Sequence, residues 1–289
     1  MSKLNIEKFK SIKSYNAYLI SSKAKYFYNF DGDVKNLQKI LGWASIGDEK
    51  IYILGGGSNV LVTKDIIDGL VIHLNNKKIK VKDNRIVVSS GVDSSLFSIY
   101  AYHYGLEGTE FLYGLPGTIG GAIYMNARVY ENSISDIIKN VKVLTYNGRI
   151  KKLSTQDLEF SYKDSVFQHK NYIIIEAEFE LEPNNKEEIQ RKMNYNLKQR
   201  IKKGHFDYPS CGSVFKNKLD KEIFAGELID NLNLKGTRIG NAEIFKKHGN
   251  FIINKNGPDG TEIKKLIDYI QNAVEKKRNV KLEKEVVIW

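Results

Sequence analysis

The sequence predicts an α+β fold in two or three parts, and three observations carry that reading. The 289 residues are more than one compact core ordinarily organises. Strand-length and helix-length apolar stretches are mixed along the chain, without the strict alternation that builds a doubly wound parallel sheet. Two glycine-rich stretches, at 55–59 and 105–121, break this pattern where a ligand can approach the backbone. The expected boundaries are 1–74, 75–183 and 184–289.

In the first part, strands are expected at 24–30, 51–54 and 70–74, with a helix at 34–41. The second part adds a strand at 85–89 and a helix at 94–104. A hairpin follows, 141–146 with 149–153, around Asn147-Gly148, a pair that favours a type I′ turn. In 172–181 the residues Ile173, Ile175, Ala177, Phe179 and Leu181 alternate with mainly polar neighbours late in the run, as in a half-buried strand. After Pro183 a charged helix over 186–203 stops at Gly204 and reads as the connector to the last part. There a helix opened by Thr261 carries the stripe Ile263, Leu266, Ile267, Ile270 and Val274, and 286–289 closes as a strand.

Composition narrows the class. Hydrophobic residues make up 42% and charged residues 27%, ordinary for a soluble globular protein. No apolar run reaches the roughly 20 residues that span a bilayer, so no membrane insertion is expected. The N-terminal residues are polar and show no signal-peptide pattern, and the single cysteine, Cys211, excludes an internal disulfide. A reducing, cytoplasmic setting is the expectation. The net charge of +11 suits an anionic partner, but the lysines are spread along the chain and no nucleic-acid-binding signature is present. A lysine-rich solvated surface accounts for the charge, and a phosphorylated small molecule can share its field. No nucleic acid is expected. The five histidines lack zinc-ligand spacing, so no structural metal is expected.

The first loop is Gly55-Gly56-Gly57-Ser58-Asn59, followed by Val60-Leu61-Val62. Glycines let backbone N–H groups converge on a phosphate because no Cβ blocks the approach. A dinucleotide fingerprint would need a helix next, whereas 60–62 reads as strand, and a P-loop would need Gly-Lys-Ser/Thr. Alone, the loop reads as a tight β-turn. The second stretch runs from Gly105 through Gly108, Gly114, Pro116, Gly117, Gly120 and Gly121 to Asn126. Its glycines and its φ-fixing proline suit an extended backbone passing close to a ligand. Two such loops are best explained by a long ligand with a pyrophosphate centre.

These two loops, the second continuing as Gly114-Leu115-Pro116-Gly117-Thr118-Ile119-Gly120-Gly121-Ala122-Ile123-Tyr124-Met125-Asn126-Ala127, resemble the FAD-binding core of the UDP-N-acetylenolpyruvoylglucosamine reductases. The resemblance implies a two-part FAD-binding region of the vanillyl-alcohol-oxidase type followed by an α+β substrate-binding lobe. It implies FAD contacts at Gly55, Gly56, Gly57, Ser58, Asn59, Gly114, Pro116, Gly117, Thr118, Ile119, Gly120, Gly121 and Asn126. Departures from the family pattern occur at Ile20-Ser21-Ser22 and at Arg128, where the family often carries glycines.

Three further motifs carry the chemistry. Gly212-Ser213-Val214-Phe215-Lys216-Asn217-Lys218 reads physically as a turn, with no histidine elbow for acyl transfer. It resembles the family's GSVFKNP, with Lys218 for proline, and so Ser213 inherits the role of proton donor to a carbanion. Leu282-Glu283-Lys284-Glu285-Val286 is similar to the family's LEPEV, which implies Glu285 as the catalytic carboxyl. Strand alternation puts Glu283 and Glu285 on one face and does not separate them. Tyr162-Lys163-Asp164-Ser165-Val166-Phe167 resembles YRxSxF, with Lys163 at the arginine position; lysine is a point charge rather than a planar fork, and a surface lysine is the other reading. Tyr162, Lys216, Asn217 and Arg238 are the implied substrate contacts.

The resemblance runs from about residue 16 to 286, on the branch of the family without an extra insertion in the substrate lobe. It implies a monomer that uses FAD and NADPH to reduce UDP-N-acetylglucosamine enolpyruvate to UDP-N-acetylmuramate in peptidoglycan precursor synthesis. A different flavin oxidoreductase of the same fold, or a non-catalytic FAD- or nucleotide-binding protein, is the alternative.

Overall fold

The computed structural model describes residues 4–129, 131–257 and 259–289. The chain forms two compact units interleaved in sequence. One comprises the residues up to Phe9, Lys25–Gly56 and Asp68–Lys198; the other comprises Lys10–Ala24, Gly57–Ile67 and Gln199–Trp289.

The first unit is built on two sheets. One is four-stranded, in the order Ile6–Ser11, Lys23–Phe30, Ile66–Leu74, Ile51–Leu54. Its edge strand Ile51–Leu54 runs parallel to Ile66–Leu74 and delivers Gly55 at its end. Helix α1 (Val34–Ile46) starts where the Asp33 carboxylate accepts from the Asn36 amide, and it buries Leu37, Ile40, Leu41 and Ala44. The other sheet is five-stranded and antiparallel, in the order Ile150–Ser154, Ile138–Thr145, Tyr172–Glu180, Arg85–Ser89, Ile79–Lys82. Helix α2 (Ser94–His103), capped by Asp93, and the short helix α3 (Ile119–Tyr124) pack with it through Phe97, Ile119 and Ile123.

Strand Tyr172–Glu180 serves two cores, which regular alternation does not anticipate. Ile173 and Ile175 join the cluster around α1, whereas Ile174, Ala177 and Phe179 join the cluster around α2 and α3. The register slips between Lys142↔Glu176 and Val143↔Ile174, leaving Ile175 as the extra residue of a bulge. An extra residue reverses which face the following side chains occupy. The strand is therefore buried on both faces in its first half, not half-buried throughout.

Two local expectations are corrected. The turn at Asn147-Gly148 is not type I′, because Gly148 has φ of +79° while Asn147 is not among the residues with positive φ. The Gly148 amide donates to the Thr145 carbonyl at 2.9 Å and the Arg149 amide to Thr145 Oγ1 at 2.9 Å, giving a turn followed by one left-handed glycine. The stretch 119–124 is helical rather than extended, and its glycines serve close packing. A Cβ on Gly120 would stand 2.9 Å from Ser90 Cβ.

Helix α4 (Lys186–Lys202) ends before Gly204, which has φ of +74°. In the second unit, helices α5 (Ala225–Asn231) and α6 (Gly260–Arg278) pack with the three-stranded sheet Arg238–Ile239, Ala242–Ile244, Ile252–Asn254. The α6 stripe Ile263, Leu266, Ile267, Ile270 and Val274 is fully buried, each side chain contributing roughly 1.5–3 kcal/mol of transfer free energy before chain entropy. Asp259, not Thr261, caps α6: its carboxylate accepts from the Thr261 and Glu262 amides. Strand Val287–Ile288 runs parallel to Val60–Leu61 and brings the C-terminal residues onto the segment that follows the first glycine loop.

Candidate active site

In the first unit the two glycine loops meet. A Cβ on Gly55 would fall 2.7 Å from Thr118 Oγ1, and one on Gly56 would fall 2.7 Å from Gly117 Cα. Only bare backbone allows that approach. Gly114 and Gly117 have φ of +74° and +112°, a region that disfavours side chains. The loop between them is tied to the start of α2: the Gly114 amide donates to Ser95 Oγ at 2.9 Å and the Ser94 amide to the Gly117 carbonyl at 3.0 Å. Pro116 is exposed, whereas Ile119 is fully buried and belongs to the core. The Thr118 hydroxyl is buried without a protein partner, an uncommon and costly arrangement. A glycine-lined cradle with an unmatched hydroxyl fits the phosphates of a cofactor that accepts a hydrogen bond there.

Tyr162 and Lys163 form the tip of a tight turn in which Ser161 and Asp164 exchange backbone hydrogen bonds of 3.2 and 3.3 Å. Lys163 has φ of +58°. The turn is strapped to the end of α3. Asn126 Nδ2 donates to the Ser161 carbonyl at 3.0 Å while its Oδ1 accepts from the Ser135 amide at 3.1 Å. Asn126 is buried, so its side chain works as an internal clamp.

In the second unit the structure gathers Ser213, Lys216, Glu283 and Glu285. The segment 213–216 lies between two backbones. On one side Ser213 bridges Phe251, and Asn250 Oδ1 and Nδ2 bond the Phe215 amide and carbonyl at 2.9 and 2.8 Å. On the other, the Lys216 amide donates to the Glu283 carbonyl and the Glu285 amide to the Val214 carbonyl, both at 2.8 Å. Surroundings now separate the two glutamates. Glu283 is exposed and pairs with the Lys216 ammonium at 2.7 Å, while Glu285 is half-buried. Asn59 Nδ2 donates to the Glu285 carbonyl at 3.0 Å, so this loop residue fixes the glutamate's backbone. Gly57, Ser58 and Asn59 all lie in this unit, and a Cβ on Gly57 would meet the Tyr15 carbonyl oxygen at 2.0 Å.

The other residues singled out from sequence have defined partners. Asn217 Oδ1 accepts from the Ala225 amide at the start of α5, at 3.0 Å. Arg238 is exposed and pairs with the buried Glu243, which Lys255 also reaches at 3.2 Å. Burial raises the Glu243 carboxyl, but bonds from Lys255 and Arg238 outweigh it and hold the group below its ordinary range. His205 and His248 both pack on the Phe251 ring, at 4.7 and 4.3 Å between centroids. Burial, aided by Arg200 and His248, pushes His205 down to about 4; burial also lowers His248. The Cys211 thiol is raised by burial, which leaves it protonated and without nucleophilic character. Among the described residues no group of three His, Cys, Asp or Glu is arranged to hold a metal, and no helix is long and apolar enough to cross a membrane.

Sequence reasoning did not single out Asn250 as the clamp on Phe215 or Gln168 beside Lys163. An asparagine between Gly249 and an apolar run was a usable signal, since its amide can copy a backbone ladder. No local pattern pointed to Gln168.

Comparison with known families agrees with this geometry. Residues 31–154 match an FAD-binding domain, which together with the joined glycine loops defines an FAD-binding oxidoreductase of α+β architecture. Residues 204–289 match the C-terminal domain of UDP-N-acetylenolpyruvoylglucosamine reductase. The protein of that name from Borrelia garinii is 40% identical over 99% of this chain and 94% of its own length. The one from Lactobacillus helveticus is 36% identical over 99% and 95%. The crystal structure of the reductase from Thermus caldophilus superposes with a TM-score of 0.82 at 28% identity, covering 99% of this chain and 98% of that one. The chain belongs to the UDP-N-acetylenolpyruvoylglucosamine reductase family.

Proposed function

We propose that this protein reduces UDP-N-acetylglucosamine enolpyruvate to UDP-N-acetylmuramate with NADPH, in peptidoglycan precursor synthesis, with residues 1–74 and 75–183 holding FAD and 184–289 the substrate. The observation that carries the reading is the 2.8 Å bond from the Glu285 amide to the Val214 carbonyl, which brings the backbone of residue 285 onto the residue that follows Ser213. The chemistry that bound FAD supplies is hydride relay from NADPH to the enolpyruvyl double bond. Gly55, Gly56, Gly117 and the Thr118 hydroxyl would hold its phosphates, a reading supported by the close approach of the two loops and the unpartnered hydroxyl.

The protein's side chains act on the negative charge that hydride addition leaves on the carbon beside the substrate carboxylate. The Lys163 ammonium and a protonated Glu285 stabilise that charge, as preorganised donors do for developing anions. The Ser213 hydroxyl gives the carbon its proton and regains one from solvent. A serine is a weak acid, but a positioned one suffices for a strongly basic carbanion. Lys216, Asn217, Tyr162 and Arg238 are assigned to the nucleotide part of the substrate. For Lys216 this means exchanging Glu283 for a phosphate oxygen.

Incubation with NADPH and substrate, followed by mass spectrometry, tests the reaction itself. A product heavier by two hydrogens, formed in step with NADPH loss, supports it. NADPH loss without that product sinks it.

A further inference from the structure

Lys163 holds a left-handed backbone conformation, φ of +58°, that a lysine adopts at a cost and that folded proteins retain where surrounding contacts over-determine it. Those contacts centre on one carboxamide. Gln168 Nε2 has two hydrogens and spends them on two carbonyls, that of Lys163 at 3.1 Å and that of Tyr124 at 3.0 Å. Tyr124 is the last residue of α3, and its carbonyl also accepts from the fully buried Ser165 hydroxyl at 2.7 Å. Asn126 adds the bond to Ser161 on the other strand of the turn. The opposite end of α3 begins at Thr118, in the cofactor loop. Six helical residues span about 9 Å, so one rigid element carries the phosphate cradle at one end and the Lys163 turn at the other.

We propose that Gln168 is a positioning residue: by joining the Lys163 carbonyl to the end of α3, it fixes where the Lys163 ammonium stands relative to the cofactor loop. This rests on the reading of Lys163 as the cation that stabilises the substrate carbanion. A lysine ammonium is a compact point charge on a flexible stem, so its effect on such a charge depends on how far its backbone anchor lies from it. The lysine therefore gains from a fixed backbone.

The test uses Gln168→Met, which keeps length and volume and removes both donors, beside Lys163→Met, the double variant, and Gln168→Lys, which restores a donor of similar reach. Flavin reduction by NADPH is expected at the parent rate in Gln168→Met. Flavin reoxidation by substrate is expected to slow roughly ten- to a hundredfold, the scale of misplacing a catalytic group. The double variant is expected to be no slower than Lys163→Met, and Gln168→Lys is expected to recover most of the loss. In apoprotein, amides 161–165 of Gln168→Met are expected to exchange hydrogen faster. Slow reoxidation in Lys163→Met with parent behaviour in Gln168→Met would overturn the assignment and leave the role of Lys163 standing. Parent reoxidation in both variants would overturn the role of Lys163 and the assignment with it. Unchanged exchange at 161–165 would show that the carboxamide does not hold the turn.

Discussion

Gly56→Ala tests the joined loops directly. The added methyl would lie 2.7 Å from Gly117 Cα and 3.2 Å from the Gly117 carbonyl carbon. Carbon atoms rest at about 3.5–4.0 Å, so the two loops must separate by roughly an ångström. Overpacking of this kind costs about 1–3 kcal/mol. Gly56 is exposed, so the loops can part without opening the core, and the cost is expected in cofactor binding rather than in folding. Converted at 1.4 kcal/mol per tenfold, it weakens FAD affinity roughly 5- to 150-fold. Titration of FAD into apoprotein, followed by calorimetry, measures this, and the melting temperature of the apoprotein is recorded beside it. Gly42→Ala is the control. Nothing lies within 4 Å of its added methyl, and it sits exposed within α1. It is expected to leave FAD affinity alone and to add about 0.5–1 kcal/mol of stability. Gly56→Ala binding FAD as tightly as the parent would refute the reasoning.

Other outcomes follow from the same contacts. Asn59→Ala removes the donor to the Glu285 carbonyl, and is expected to slow flavin reoxidation by substrate while FAD affinity stays within a few-fold; calorimetry and stopped-flow absorbance separate the two, and markedly weakened FAD affinity with parent-rate reoxidation in the FAD-saturated variant would reverse the assignment. Lys163→Gly relieves the left-handed backbone and is expected to keep stability within about 1 kcal/mol of the parent while impairing reoxidation, whereas Lys163→Arg is expected to turn over at least as fast as the parent. His205 is depressed from 6.5 to about 4, so the unfolded chain binds its proton first as pH falls. Its share of stability is intact above 6.5 and drains away down to about 4. Melting curves of His205→Phe across that window are expected to fall less steeply than the parent's, and parallel curves would show that the histidine is not buried neutral.

What the sequence carried and what it did not divide along physical lines. The α6 stripe was legible because a 3.6-residue period is a local property, and every residue of it is buried. The glycines at 55, 56, 114 and 117 were legible because only glycine tolerates such approach or such φ. The bulge at Ile175 was not, since a register slip depends on the partner strand. The Asn147-Gly148 turn type was decided by the Thr145 hydroxyl, a neighbour that a dipeptide preference ignores. Asp259 took the cap from Thr261 because it lies two residues earlier with its carboxylate free to reach back-to-back amides. Glu283 and Glu285 could not be separated by alternation; the Lys216 ammonium and the Val214 carbonyl separate them, and both partners are far away in sequence. The same holds for Asn59 and Glu285, which are 226 residues apart.

The central claim is that Ser213 protonates a carbanion after hydride has reached the substrate. Anaerobic stopped-flow absorbance on the FAD-loaded protein follows it in two steps, flavin bleaching on mixing with NADPH and colour return on mixing with UDP-N-acetylglucosamine enolpyruvate. The parent is expected to show both, and Ser213→Ala is expected to bleach at the parent rate and then fail to form product. Colour return with full product yield in Ser213→Ala would contradict the account.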